Sequence, residues 1–219
     1  MKKMAEAFRD CLKDVKPIKF REPLAETLGA FTEKNAVLDY SFIEAAKMAG
    51  HACPTVSAAY LITQKAVEAL YPGEVPVRGE IAITVYGEAD DGVYGVIGQV
   101  LSFLTGAAPA SGFRGLGHKF KRKDLLRFDP VKPDTQAMTF EFKRLDTSKA
   151  VLVKFYPGRV PQAQDKAAKI SQLMEKVLWE ADREGEKQEF QDLWMEKVKD
   201  MLIEQKEIDK WLKVEERRD

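Results

Sequence analysis

Thr55-Val-Ser-Ala-Ala-Tyr-Leu-Ile-Thr-Gln-Lys-Ala-Val-Glu-Ala-Leu70 is closed by Tyr71-Pro-Gly73 and followed by Glu80-Ile-Ala-Ile-Thr-Val-Tyr86. In the first stretch Val56, Ala59, Tyr60, Val67 and Leu70 keep mostly to one face of a helix. In the second, Val77, Ile81, Ile83 and Val85 alternate with polar partners, the period of a strand. The hydrophobic period thus changes from helical to extended within one short span. That change places the chain in the α+β class.

The same reading extends upstream. The first ~15 residues read as a helix carrying Met4, Phe8, Cys11, Leu12 and Val15, ended by Pro17. A short helix is predicted from Pro23 to Phe31, and another after a cap at Asp39 or Ser41, stopped by Gly50. Downstream, Gly92 to Leu104 reads as a glycine-rich helix. Ala137 to Arg144 and Ala150 to Tyr156 read as a hairpin turned by Asp146-Thr-Ser-Lys149. From Gln164 the chain is charged and helical, broken at Gly185, with a stripe of Phe190, Leu193, Trp194, Val198, Met201 and Leu202. The composition shifts near Pro157 to Gln164. The expected organisation is therefore a core over residues 1–160, an antiparallel-rich sheet with packed helices, and a helical C-terminal arm over 161–219. The Trp194 stripe is read as core or dimer interface.

The totals narrow the function classes. Of 219 residues, 35 are Lys or Arg and 35 are Asp or Glu, so there is no net charge to favour nucleic acid. No apolar run is long enough to span a membrane. The charged start and the two cysteines, Cys11 and Cys53, lead to the expectation of a cytoplasmic chain without a disulfide framework. Histidine occurs only at His51 and His118.

That scarcity draws attention to His51-Ala-Cys53-Pro54. Proline favours the first helical position, so Cys53 falls at the cap, where free amides and the helix dipole favour a thiolate. Side chains two apart in an extended segment share a side, so His51 and Cys53 could grip one ion. Zinc suits this mixture, with nickel, copper or iron as alternatives. A third ligand would come from His118, Asp90 or Asp91. Cys53 is also the candidate catalytic nucleophile, with His51 as base. A packed histidine beside a capping thiol accounts for the same residues without any chemistry.

Gly50-His-Ala-Cys-Pro-Thr-Val-Ser-Ala-Ala-Tyr60, then Glu80 to Val85, then Val100-Leu-Ser-Phe-Leu-Thr-Gly106 resembles the FmdE family, named for the formylmethanofuran dehydrogenase operon. Gly115-Leu-Gly-His-Lys119 loosely resembles that family's glycine-lysine element, and the resemblance covers roughly Asp39 to Phe155. It implies an α+β core with the His-x-Cys pair in a pocket, a bound transition metal and a homodimer. Thr55 stands where the family commonly has glycine, and Glu88-Ala-Asp-Asp-Gly-Val93 lacks the family's second cysteine.

Three function readings follow from the residues and the resemblance together. The first is a metal-binding protein that uses the His-x-Cys site on a small ligand, with the Gly106 to His118 loop as lid or pocket wall. The second is a Cys-dependent redox or acyl-transfer enzyme. The third is a carrier for a planar cofactor such as haem, with His51 or His118 as axial ligand.

Two further features were singled out. Eight of the fourteen glycines lie from Gly87 to Gly117. Gly92-x-x-Gly95-x-x-Gly98 reads as a smooth packing face or a ligand wall. Arg114, Lys119, Lys121, Arg122, Lys123 and Arg127 read as a solvated basic face or an anion site.

Overall fold

The computed structural model describes residues 12–31 and 36–217. The expected first helix falls mostly on residues 1–11, outside them. The chain runs β1 (Ile18–Arg21), α1 (Pro23–Leu28), β2 (Val37–Tyr40), α2 (Phe42–Ala49), α3 (Pro54–Leu70), β3 (Ile81–Tyr86) and α4 (Tyr94–Thr105). A two-residue pair follows, β4 (Gly115–Leu116) and β5 (Phe120–Lys121). Then come β6 (Leu126–Asp129), β7 (Met138–Arg144), β8 (Ala150–Phe155), α5 (Gln164–Leu178), α6 (Glu186–Lys199), α7 (Ile208–Trp211) and β9 (Leu212–Glu216). The fold is α+β.

The main sheet has the order β6-β3-β7-β8-β9. Only the β3–β6 pair is parallel. Its inner face follows from the register: Val85 lies opposite Phe140, Ile83 opposite Phe142, Phe140 opposite Val153, and Phe155 opposite Leu212. All of these are buried, so apolar side chains line one face across four strands. The parallel pair continues it to the edge, with Leu126 opposite Ile83 and Phe128 opposite Val85.

Helix α3 lies on that face, between β8 and the helices α2 and α4. The single apolar face expected of it is a correction to make. Every residue from Val56 to Gln64 is buried, because the helix has the sheet on one side and other helices around it. A helix enclosed in this way must be apolar or small all round, and Ala58, Ala59 and Ala66 let its neighbours approach. The phenol of Tyr60, fully buried, reaches the Tyr40 carbonyl at 2.8 Å and the Lys16 carbonyl at 3.0 Å. It thereby ties α3 to the small β1–β2 sheet.

The helix ends follow local sequence closely. Ser41 caps α2 in a reciprocal capping box with Glu44, and Gly50 ends it in a left-handed conformation, φ 77°. Arg144 from β7 donates to the Leu70 carbonyl at the end of α3 and stacks 3.9 Å from the Tyr71 ring centre.

The C-terminal segment departs from expectation. It is not helical to its end: α6 passes into a π-turn over Asp200–Glu204, and the chain then returns as β9 on the edge of the main sheet. Trp211, 1% exposed, packs edge-on against Phe155. The segment after residue 160 therefore completes the core, and only the α5–α6 hairpin has the character of an arm. Among the described residues no helix is long and apolar enough to cross a membrane.

Candidate functional site

Cys53 takes the cap position that Pro54 predicts. Its backbone is extended, Pro54 opens the helix, and the Val56 amide donates to the Cys53 sulfur at 3.4 Å. The Ser57 hydroxyl donates to the Cys53 carbonyl at 2.9 Å. The thiol is buried, 6% exposed, and belongs to the apolar core.

His51 is exposed, and its Nδ1 lies 2.9 Å from the Ala49 carbonyl. The imidazole is thus engaged with the end of α2, while the thiol is engaged with the start of α3. No hydrogen bond joins the two residues among those described, so the base-and-nucleophile arrangement expected of them is not formed. His118 is exposed in the turn between β4 and β5. Asp91 is exposed and pairs loosely with Lys132 at 3.7 Å.

Among the described residues no three His, Cys, Asp or Glu side chains come together to hold a metal ion. The expected set of His51, Cys53 and His118 is therefore not assembled within one chain, nor is a set that replaces His118 with Asp90 or Asp91. These donors do not fit a zinc shell of three protein ligands.

What the fold does build is a cavity of about 1020 Å³ at the β6 edge of the sheet. Helix α4 supplies one wall, with Gly95, Gly98, Gln99, Ser102 and Phe103. The loop after α4 supplies another through Pro109, Ala110, Ser111 and Gly112. Leu126 and Phe128 of β6 form the floor, and Met48 of α2 and Ala89 close the ends. The first half of the loop from Gly106 to His118 borders this cavity, which is not the pocket expected around His51 and Cys53. His51, Cys53 and His118 do not line this cavity, so it presents no histidine to a haem iron.

Packing accounts for the glycines of α4. A Cβ on Gly98 would stand 2.7 Å from the Phe128 ring, and one on Gly95 would stand 2.6 Å from the Ala89 carbonyl oxygen. The polar residues along the cavity are Gln99, Ser102, Ser111, Asp124 and Arg127. Arg127 borders the cavity, but its guanidinium Nε donates to the Thr84 hydroxyl at 2.9 Å, directly across the β3–β6 pair.

The basic cluster divides in two. Arg122 does not belong to a solvated face: it is 3% exposed, and its guanidinium meets the Glu22 carboxylate at 2.5 Å. Arg78 reaches the other oxygen of Glu22 at 3.0 Å and donates to the Phe103 and Leu104 carbonyls at the end of α4. Gly79 and Gly106, both at positive φ, lie against the Arg122 guanidinium where a side chain would collide with it. Burial lowers the Arg122 pKa, and the adjacent Glu22 opposes that shift. Nothing in the local sequence marked Glu22. Its partner is 100 positions away, and the pair of left-handed glycines was the only local trace of the buried guanidinium.

No protein-family model and no curated protein matches this chain.

Proposed function

We propose that the protein binds a small, largely apolar and flat organic molecule in the cavity between α4, the loop over residues 107–112 and β6. The carrying observation is the cavity's construction. About 1020 Å³ of space is bounded by one face of α4, two phenylalanines, the hydroxyl and amide groups of Gln99, Ser102 and Ser111, and Asp124 and Arg127 at its border. Ligand sites are commonly concave and apolar with a small number of placed polar groups, at volumes of about 300–1,000 Å³. Gly95 and Gly98 let Ala89 and Phe128 close onto α4, and the aromatic faces of Phe103 and Phe128 beside them suit a planar ring system. Gln99, Ser102 and Ser111 would then fix its orientation through hydrogen bonds.

This reading keeps the small ligand of the first function reading and moves its site away from His51 and Cys53. It derives no step through a metal. The test is a thermal-shift and calorimetric screen with planar heteroaromatic compounds on the wild-type protein and on Ser102→Trp, which fills the cavity from the helix side. Compounds that stabilise the wild type should lose their effect on the variant. Binding that survives Ser102→Trp unchanged, or a screen with no stabilising compound, sinks the proposal.

A further inference from the structure

Two surface patches of this chain carry opposite charge, and both expose large apolar side chains. The first is the tip of the α5–α6 hairpin. Leu178 is 72% exposed and Trp179 79% exposed, and the next residues, Glu180-Ala-Asp-Arg-Glu184, are mostly acidic. The second is the β4–β5 loop. Phe113 is 58% exposed and Leu116 48% exposed, among Arg114, Lys119, Lys121 and Lys123.

The stems of the hairpin are bridged by Lys169–Glu189, Lys166–Glu196 and Lys176–Glu186. Glu180, Asp182 and Glu184 at the tip have no ion pair among the described residues, and neither do the four cations of the loop. Lys119 lies only over the Phe120 ring, at 5.3 Å. Leu178 and Trp179 are adjacent and both largely exposed, and contiguous apolar patches rimmed by polar residues mark interaction surfaces. Tryptophan and arginine are also the residues that most often dominate interface energetics.

We infer that these patches dock on each other between two copies of the chain, with the Leu178–Trp179 tip of one copy seated on the Phe113–Leu116 loop of the next. The complementarity lies between two patches of the same chain, which designates a second copy as the occupant. Apolar contact supplies the attraction. The unpaired acids and bases supply orientation and encounter rate. A contact between two different patches is heterologous: it gives a closed dimer if reciprocated and a larger assembly if not. Because the loop that walls the cavity runs directly into the docked one, assembly would brace the cavity's outer wall.

Sedimentation velocity of the full chain over a concentration series tests this. The wild type should associate, with an apparent Kd that weakens about tenfold or more as salt is raised and the rim charges are screened. Trp179→Glu should be monomeric with an unchanged melting curve, since that side chain packs on almost nothing. A charge-reversed loop (Arg114→Glu, Lys119→Glu, Lys121→Glu) and a charge-reversed tip (Glu180→Lys, Asp182→Lys, Glu184→Lys) should each be monomeric alone and associate when mixed. A wild type that stays monomeric overturns the proposal. So does an assembly that persists in Trp179→Glu, or a pair of reversed variants that do not find each other.

Discussion

The indole N–H of Trp194 donates a hydrogen bond to the carbonyl of Ala52 at 3.1 Å, across 142 positions of sequence. Ala52 lies between His51 and Cys53, so the C-terminal hairpin is fastened to the motif that dominated the sequence reading. Trp194 also packs on Phe190, with ring centres 5.5 Å apart, and against the core that contains Cys53. The hairpin is thereby anchored one residue from the buried thiol.

Trp194→Phe keeps the ring and removes the donor. A neutral hydrogen bond contributes about 1 kcal/mol to stability, and about 1 kcal/mol is a factor of about five in a local opening equilibrium. The rate at which an alkylating reagent reaches Cys53 should therefore rise about fivefold, with the overall fold retained. Labelling is best followed by mass at single-residue level, so that Cys11 is counted separately. Equal Cys53 rates in the two proteins would show that the hairpin does not guard the thiol.

The cap geometry separates a structural role for Cys53 from a chemical one. The Val56 amide needs an acceptor, and the sulfur provides one at 3.4 Å. Serine is among the strongest capping residues, and replacing a capping side chain with alanine costs about 0.5–2 kcal/mol. Cys53→Ser should therefore stay near wild-type stability in denaturant unfolding, while Cys53→Ala should lose about 1 kcal/mol. The same pair of variants bears on metal. With no three-donor group in the described residues, protein purified without a tag should hold less than one zinc per chain. Stoichiometric zinc that disappears in Cys53→Ser would restore the metal reading, with the missing ligands supplied from outside the described chain.

Some of this was legible from sequence, and the reason differs by element. The caps at Cys53 and Ser41 depend on neighbours within four residues. Pro54 announced the first, while the second was narrowed to Asp39 or Ser41, and Glu44, three residues after Ser41, is the signal that decides it. β7 and β8 alternate cleanly because one face meets the core. β9 carries Leu212-Lys-Val-Glu-Glu216 on an edge, with two apolar residues to mark it. Beside Ile208 and Trp211 those two fit a helical stripe equally well, and only pairing with β8 decides between them. The cavity was foreshadowed by the glycines of α4, but its floor at Leu126 and Phe128 depends on the parallel β3–β6 pairing, which no local pattern reveals.

The buried Glu22–Arg122–Arg78 group yields an ordering of effects. Among the described residues Glu22 is the only anion paired with these two guanidinium groups, and its Oε1 also accepts from the Leu24 amide at 3.2 Å. Glu22→Gln would leave two buried or half-buried cations without a counter-charge. Breaking a buried pair from one side costs about 3–5 kcal/mol, so this variant should fall in that range. Arg122→Met keeps the Arg78–Glu22 contact at 3.0 Å and removes a guanidinium nitrogen, Nη1, that has no hydrogen-bond partner. Its loss should be smaller. Chemical denaturation of the two variants checks the order, and a larger loss in Arg122→Met would mean that Arg78 does not hold Glu22 alone.

Acid stability should report on Asp146. Its carboxylate accepts from Arg144 Nε at 2.9 Å and from Nη2 at 2.6 Å, and this bonding lowers its pKa to about 2. Arg144 in turn holds the Leu70 carbonyl at the end of α3 and lies against Tyr71, whose pKa burial raises to about 12. A carboxylate with a depressed folded-state pKa stabilises the fold fully above its ordinary pKa, and that stability is lost as pH falls through the depressed value. The Asp146 contribution should therefore be constant at neutral pH, begin to fall below about pH 4 and be gone below about pH 2. Because the carboxylate is 46% exposed, solvent screening limits it to about 1 kcal/mol or less. Asp146→Asn should thus be slightly less stable than wild type at neutral pH, and the two unfolding curves should converge as the solution is acidified. Curves that stay equally separated down to pH 2 would show that the Asn variant loses turn geometry, since Asp146 Oδ1 also accepts from the Thr147 amide at 2.8 Å, and that the ion pair adds nothing.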